Sequence, residues 1–203
     1  MIREAVTEYL RQQGIQVMSE SEKFGWNFKC VLFDMDGVLY DSMPNHAIAW
    51  QESMAKFGIN MTAADAYATE GARGIDTIKK YMRDQLGKDI TLDEAQTIYD
   101  EKTRIFHDMP IAPIFDGVTD MMEKIIQSGM SVSVVTGSGQ RPLIDRLLHD
   151  FGKYLDEDHI TTAYDVKRGK PYPDPYLIGL KKVGDFKPSQ GIVVENAPLG
   201  VKS

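Results

Sequence analysis

The sequence predicts an α/β fold, a doubly wound parallel sheet interrupted by one all-helical insertion. Three observations carry this. Short apolar runs at Cys30-Val31-Leu32-Phe33, Ser131-Val132-Ser133-Val134-Val135 and Gly191-Ile192-Val193-Val194, with a weaker one at His159-Ile160-Thr161-Thr162-Ala163, read as buried strands. Helical patterns at 117–128, 140–149 and 174–183 lie between them, and strand alternating with helix builds a parallel sheet with helices on its faces. Residues 44–110 break that rhythm with four helical patterns, near 44–57, 62–69, 74–86 and 91–107, and no strand-like run.

The breaks inside the insertion fall at Gly58, at Gly71 and Gly74, and at Gly87-Lys88, while Pro44 and the Pro110/Pro113 pair punctuate its two junctions. The expected division is an N-terminal helical extension over 1–26, an α/β core formed by 27–43 with 111–203, and a helical cap over 44–110. In the extension, Ile2, Val6, Tyr9 and Leu10 fall at helical spacing over 2–13, ahead of a polar tract at 19–23. The chain stops at Ser203, soon after the fourth strand. The core is therefore expected to lack one or more C-terminal strands and to leave the fourth as an apolar sheet edge.

Composition narrows the function classes. At 203 residues, 42% hydrophobic and 26% charged, the chain is long enough to bury a core and ordinary for a globular protein. It contains no run of roughly 18 apolar residues that would span a membrane, and no apolar segment near Met1 of the secretory kind. Cys30 is the only cysteine and cannot form an internal disulfide, so a reducing, cytoplasmic setting is expected. A net charge of −7 is a poor footing for nucleic acid, and no nucleic-acid or membrane partner is expected. The same charge repels a phosphorylated metabolite unless a metal or clustered bases reverse the field locally. The oligomeric state is left open.

In open parallel sheets, ligands bind beyond the carboxyl ends of the strands. The unusual residues sit there: Asp34 and Asp36 after the first strand, Thr136-Gly137-Ser138 after the second, and Glu195-Asn196 after the fourth, with Lys170 in the loop after the third. Converging acidic and amide oxygens suit a hard cation such as Mg²⁺. A hydroxyl, free backbone N–H groups and a lysine can hold phosphoryl oxygens. Together they describe phosphoryl transfer.

In order, Asp34-Met35-Asp36-Gly37-Val38, Thr136-Gly137-Ser138, Lys170-Pro171 and Glu195-Asn196-Ala197-Pro198-Leu199-Gly200-Val201 resemble the four motifs of the haloacid dehalogenase superfamily, and most of all its β-phosphoglucomutase branch. The resemblance covers about 27–203 and implies the following roles. Asp34 is the nucleophile that forms an aspartyl-phosphate, and Asp36 the general acid/base. Thr136 and the Gly137 N–H, with Ser138, hold the phosphoryl oxygens, and Lys170 stabilises charge on phosphate and Asp34. Mg²⁺ sits between Asp34 and the transferring group, completed by the Asp36 backbone carbonyl and Asn196, with Glu195 close by.

Two departures from the family pattern shape the substrate expectation. Asn196 stands where the family often has aspartate, which removes one negative charge. In the cap loop Glu70-Gly71-Ala72-Arg73-Gly74, Glu70 stands where sugar-phosphate mutases typically carry lysine, and a carboxylate there repels a bridging phosphate. Glu70 is therefore expected to reach the metal and replace the missing charge. The expectation is a Mg²⁺-dependent phosphohydrolase or phosphotransferase for a small phosphorylated metabolite or pyrophosphate. β-Phosphoglucomutase activity, and a truncated non-catalytic remnant pairing through its sheet edge, are the alternatives. Arg73 either holds a substrate phosphate or rides the surface. His46 either lines the cleft between cap and core or is a half-buried helix residue. Trp50 and Phe57 at helical spacing are expected to pack the cap core.

Overall fold

The computed structural model of the chain describes residues 27–203; the predicted helix over 2–13 and the rest of the 1–26 extension lie outside them. Strand β1 (Cys30–Phe33) is buried at all four positions, as a strand covered on both faces must be. It pairs in parallel with β2 (Ser131–Val135), Cys30 opposite Ser131, and with β4 (Gly191–Val194), Cys30 opposite Gly191. The two-residue β3 (Ile160–Thr161) extends the sheet beyond β2, giving the order β3-β2-β1-β4. This common register lines up the strand ends, so Asp34, Thr136 and Glu195 leave the sheet side by side.

Four helices separate β1 from β2: α1 (Met43–Lys56), α2 (Ala63–Ala68), α3 (Gly74–Leu86) and α4 (Leu92–His107). Their starts are written locally. Thr62 with Asp65 and Thr91 with Glu94 form reciprocal capping boxes that satisfy the first N–H groups of α2 and α4. Gly87, at φ 65°, terminates α3 in a left-handed conformation that other residues rarely adopt. The four helices bury their own apolar cluster around Trp50, Met54, Ile78, Tyr81, Met82 and Ile98, so Trp50 does pack there as its spacing suggested.

Two linkers join this insertion to the sheet, and they are fastened to each other. Asp41 N–H donates to the Pro113 carbonyl at 2.9 Å, Phe115 N–H to Leu39 at 3.1 Å, and the Asn45 amide to Pro110 at 2.8 Å.

The remaining helices cover the sheet. Helices α5 (Val118–Gln127) and α6 (Arg141–Phe151) pack on one face through Val31, Phe33, Val132, Val134, Met122 and Leu147. Helix α7 (Asp174–Val183) covers the other with Tyr176 and Leu180 against Cys30, Leu32 and Val135. Alternate residues of β1 thus feed opposite cores, the pattern of a doubly wound sheet. The short α8 (Pro198–Lys202) follows β4, an outer strand on which Val193 is exposed. No helix of the described residues is long and apolar enough to cross a membrane.

Candidate active site

Two buried lysines organise the charges at the strand ends. The first is Lys170. Its Nζ donates to Asp34 Oδ1 at 2.6 Å, to Glu195 Oε1 at 2.5 Å and to the Val135 carbonyl at 3.2 Å. Three segments distant in sequence therefore meet on one ammonium. Glu195 Oε1 also accepts from the Tyr176 hydroxyl at 3.0 Å, and its Oε2 from the Ala197 N–H at 2.8 Å. The Tyr176 ring lies 4.9 Å from the Lys170 ammonium. Gly200 makes room for this carboxylate, since a Cβ there would sit 1.7 Å from Glu195 Oε1.

Burial alone would weaken the Lys170 ammonium, but the charges of Asp34 and Glu195 reverse the effect and hold its pKa above the usual lysine range. Asp34 is 2% exposed. Burial pushes its carboxyl up to about 7 even beside Lys170, and the charges of Glu195 and Asp36 add to the rise. Its second oxygen, Oδ2, is buried without a hydrogen-bond partner.

The second lysine is Lys102, from the buried face of α4. Its Nζ contacts His46 Nδ1 at 2.7 Å and lies close to the rings of Trp50 and Phe106. An ammonium has no lone pair, so Lys102 donates and the His46 proton sits on Nε2. That nitrogen is 3.0 Å from Asp36 Oδ1 but off the hydrogen-bond direction. Asp36 Oδ1 instead receives the Ser42 hydroxyl at 2.6 Å.

Burial draws the Lys102 ammonium down to about 8, with Asp36 and Glu70 limiting the fall. Burial and the Lys102 charge keep His46 below its ordinary value. Asp36 goes the other way from Asp34. Burial would raise it, yet His46, Ser42 and Lys102 together hold it at about 2.

Between these groups lies a cavity of about 50 Å³, lined on the core side by Asp36, Gly137, Ser138 and Gln140 and on the helical side by His46, Trp50, Glu70, Thr77, Tyr99 and Lys102. Asp34 lies outside that lining, beneath the 70–72 loop. A Cβ on Gly71 would fall 3.0 Å from Lys170 Cδ, and one on Gly137 would fall 2.9 Å from the Gly71 carbonyl oxygen. The helical insertion is thus seated on the core. Thr136 Oγ1 accepts from Ser138 N–H at 3.0 Å, which folds the turn after β2 back on itself. The half-buried Glu70 carboxyl is raised well above its ordinary pKa by burial and by the charges of Asp36 and Asp34.

Of the sequence-predicted residues, Asp34, Asp36, Thr136, Gly137, Ser138, Lys170, Glu195, His46 and Glu70 come together. Arg73 does not join them. Its guanidinium is held bidentately by Asp76, three residues on, at 2.8 and 3.1 Å. Asn196 is exposed, with its amide occupying the space a Cβ on Gly37 would need. Sequence reasoning missed Lys102, Ser42 and Tyr176. For Lys102 a signal existed: it falls in register with Ala95, Ile98 and Ile105 on the buried stripe of α4.

The family model of haloacid dehalogenase-like hydrolases matches residues 28–203. The chain belongs to that family. It is 31% identical over 175 residues to hexitol phosphatase A of Escherichia coli, covering 86% of this chain and 77% of that one. It is 29% identical over 174 residues to validoxylamine A 7′-phosphate phosphatase of Streptomyces hygroscopicus, covering 86% and 79%. A solved structure from Bacteroides vulgatus, provisionally named a β-phosphoglucomutase, superposes with a TM-score of 0.81 at 44% identity, over 98% of this chain and 76% of that one. This haloacid dehalogenase-like hydrolase is therefore an enzyme whose relatives include phosphatases of phosphorylated sugars and metabolites.

The charge inventory of its site bears on a metal. Four carboxylates, Asp34, Asp36, Glu70 and Glu195, meet two ammonium groups, and two of the four have raised pKa values. A surplus of buried negative charge with an unpartnered Asp34 Oδ2 fits a divalent cation. Among the described residues no three His, Cys, Asp or Glu side chains form a ready cage. The reason is visible in the partners. The Asp36 carboxylate faces Ser42 and His46, and both Glu195 oxygens are committed to Lys170, Tyr176 and Ala197. Asp34 keeps a buried oxygen, Oδ2, without a hydrogen-bond partner, whereas both Glu195 oxygens are bound by Lys170, Tyr176 and the Ala197 N–H.

Proposed function

We propose that this chain is a Mg²⁺-dependent phosphohydrolase that passes the phosphoryl group through Asp34, with inorganic pyrophosphate as its substrate. The observation that carries this reading is geometric: Lys170 Nζ binds Asp34 Oδ1 at 2.6 Å while Asp34 Oδ2 has no hydrogen-bond partner, which leaves a charge-neutralised carboxylate with one oxygen uncommitted. Asp36, held instead by Ser42, takes the separate acid/base role.

An Asp34 oxygen attacks phosphorus as the bond to the leaving group breaks, and the leaving group departs with the bonding electrons. Lys170 neutralises Asp34 and the transferring oxygens, while Thr136, Ser138 and the Gly137 N–H orient them. Water then attacks the aspartyl-phosphate, Asp36 takes its proton, and phosphate leaves with Asp34 restored. Asp34, the Asp36 backbone carbonyl, Asn196 and Glu70 would hold the Mg²⁺, which when bound neutralises phosphoryl charge and polarises the P–O bond.

The leaving group decides the substrate. An Asp36 carboxyl held at about 2 is a poor proton donor to a departing alkoxide, whereas phosphate is stable as an anion and needs no proton. The leaving side of the cavity offers Lys102 and His46 to such an anion, and its volume of about 50 Å³ leaves little room for a hexose. Glu70 in the loop above repels a second sugar phosphate, which argues against a mutase cycle.

Two readings compete, hydrolysis of a small sugar or polyol phosphate, favoured by the similarity to hexitol phosphatase A, and mutase chemistry, favoured by the Bacteroides structure. Phosphate release measured on pyrophosphate, hexitol phosphates and hexose 1-phosphates with Mg²⁺ separates them. The expected result is fastest release from pyrophosphate. A rearranged hexose phosphate with little free phosphate would overturn the reading, as would calorimetry showing no Mg²⁺ binding.

A further inference from the structure

The turn after β2 carries a side chain that the mechanism above does not use. Gln140 is the N-cap residue of α6, two positions beyond Ser138, and its amide points across to the helical insertion. Its Nε2 donates to the Tyr99 hydroxyl at 3.3 Å and to Thr103 Oγ1 at 3.2 Å, and its Oε1 lies 3.1 Å from His107 Nε2, which therefore carries the proton. Residues 99, 103 and 107 are spaced by four, so they form one stripe along α4. One amide thus reads two turns of helix, using both its donors and its acceptor.

Both ends of this contact are tied to reacting groups. Behind Gln140, its own N–H donates to Ser138 Oγ at 3.3 Å, in the turn where Thr136 Oγ1 receives the Ser138 N–H. Across from it, the Tyr99 ring lies against Gly74, where a Cβ would sit 2.2 Å from the ring, and Gly74 ends the loop that begins at Glu70. Lys102 stands between Tyr99 and Thr103 on the same helix.

We propose that Gln140 is a positioning residue, a latch that registers α4 on the phosphate-holding turn so that Glu70 and Lys102 are delivered together when the insertion seats on the core. The catalytic part of this claim rests on the phosphohydrolase reading, while the seating itself does not. Separate arms test the two.

In the first arm, amide hydrogen exchange on the full chain, without substrate, compares Gln140→Met, which keeps the volume and removes every hydrogen bond, with the double variant Tyr99→Phe/Thr103→Val and with the triple combination. The latch predicts exchange about tenfold faster over 69–74 and 136–140, with the strands unchanged. The double variant, which leaves the bond between His107 Nε2 and Gln140 Oε1, should show part of the Gln140→Met effect, and the triple should match Gln140→Met, since all three act on one contact. Additive effects, or unaltered exchange over both segments, would overturn the latch. The second arm measures kinetics on the best substrate of the phosphate-release screen. The latch predicts kcat/KM lower by about tenfold in Gln140→Met and by less in the double variant, which keeps the His107 bond; full activity in Gln140→Met would overturn the positioning role. Failure to turn over any phosphate compound would instead sink the phosphohydrolase reading and leave the exchange arm standing.

Discussion

Lys170 and Lys102 are both almost fully buried, at 4% and 2% exposure, and both lie at the cleft between sheet and insertion, yet their chemistries diverge. Lys170, on the sheet side, touches two carboxylates and is held as a permanent cation. Lys102, on the helical side, touches a neutral imidazole and is drawn down to about 8. Burial penalises either charge, and the partner decides the outcome. The sheet side therefore supplies fixed electrostatics, and the helical side supplies a cation that titrates near the working pH of most enzymes.

The harshest way to break this contrast is at the nucleophile and its cation. Asp34→Asn should lower phosphate release by more than about 10⁴-fold, measured in the same screen. Lys170→Met should cost about 3–5 kcal/mol in urea unfolding, because it strands the Asp34 and Glu195 charges. A change under about 1 kcal/mol would mean the two carboxylates are not paired with it as described.

Lys102→Met should behave oppositely. Activity should fall by about 10²-fold, while the unfolding midpoint stays level or rises, since a buried charge with no carboxylate in contact is removed. Loss of both together would equate the two lysines and erase the contrast.

A pH titration sharpens it further. Unfolded, Lys102 keeps its proton to about 10.4; folded, it keeps it to about 8. Between those values the unfolded chain binds more protons, so stability rises with pH across that window, relative to Lys102→Met. Activity that needs the ammonium should fall over the same window, and Lys102→Arg should move that alkaline limb upward. Activity and stability falling together would exclude Lys102 as the cause.

The smallest effect should come from Tyr176→Phe. The ring stays against Lys170, but the hydroxyl to Glu195 is gone, so turnover should drop by only about three- to tenfold.

Local signals made most of the fold legible in the sequence. Glycine breaks and helical spacing placed every helix of the insertion within about two residues of its observed ends. Short apolar runs marked the strands, although β4, expected to be buried, is a half-buried outer strand. The strand-end residues of the site were legible for the same reason, since a sheet delivers whatever follows its strands to one place.

Orientation was not legible. The sequence does not carry the partners of Glu195, whose two oxygens are bound by Lys170, Tyr176 and the Ala197 N–H. Those partners lie on other segments or depend on the turn itself. The pairing of Arg73 with Asp76 is one that spacing did carry, because Asp76 stands three residues ahead. Lys102 was overlooked because a lysine on an apolar stripe ordinarily extends its ammonium to water. Here the rings of Trp50 and Phe106 and the His46 nitrogen enclose it.

The absent side chain at position 137 has one more implication. With the Gly71 carbonyl oxygen 2.9 Å from where a methyl would project, just inside van der Waals contact, glycine works as a gauge for the whole aperture. Alanine there would act as a shim, propping loop and turn apart by about half an ångström and widening the chamber beneath. The tiniest possible substitution should thus tilt preference from compact anions toward bulkier esters, so that selectivity in this enzyme hinges on a missing atom as much as on any group that is present.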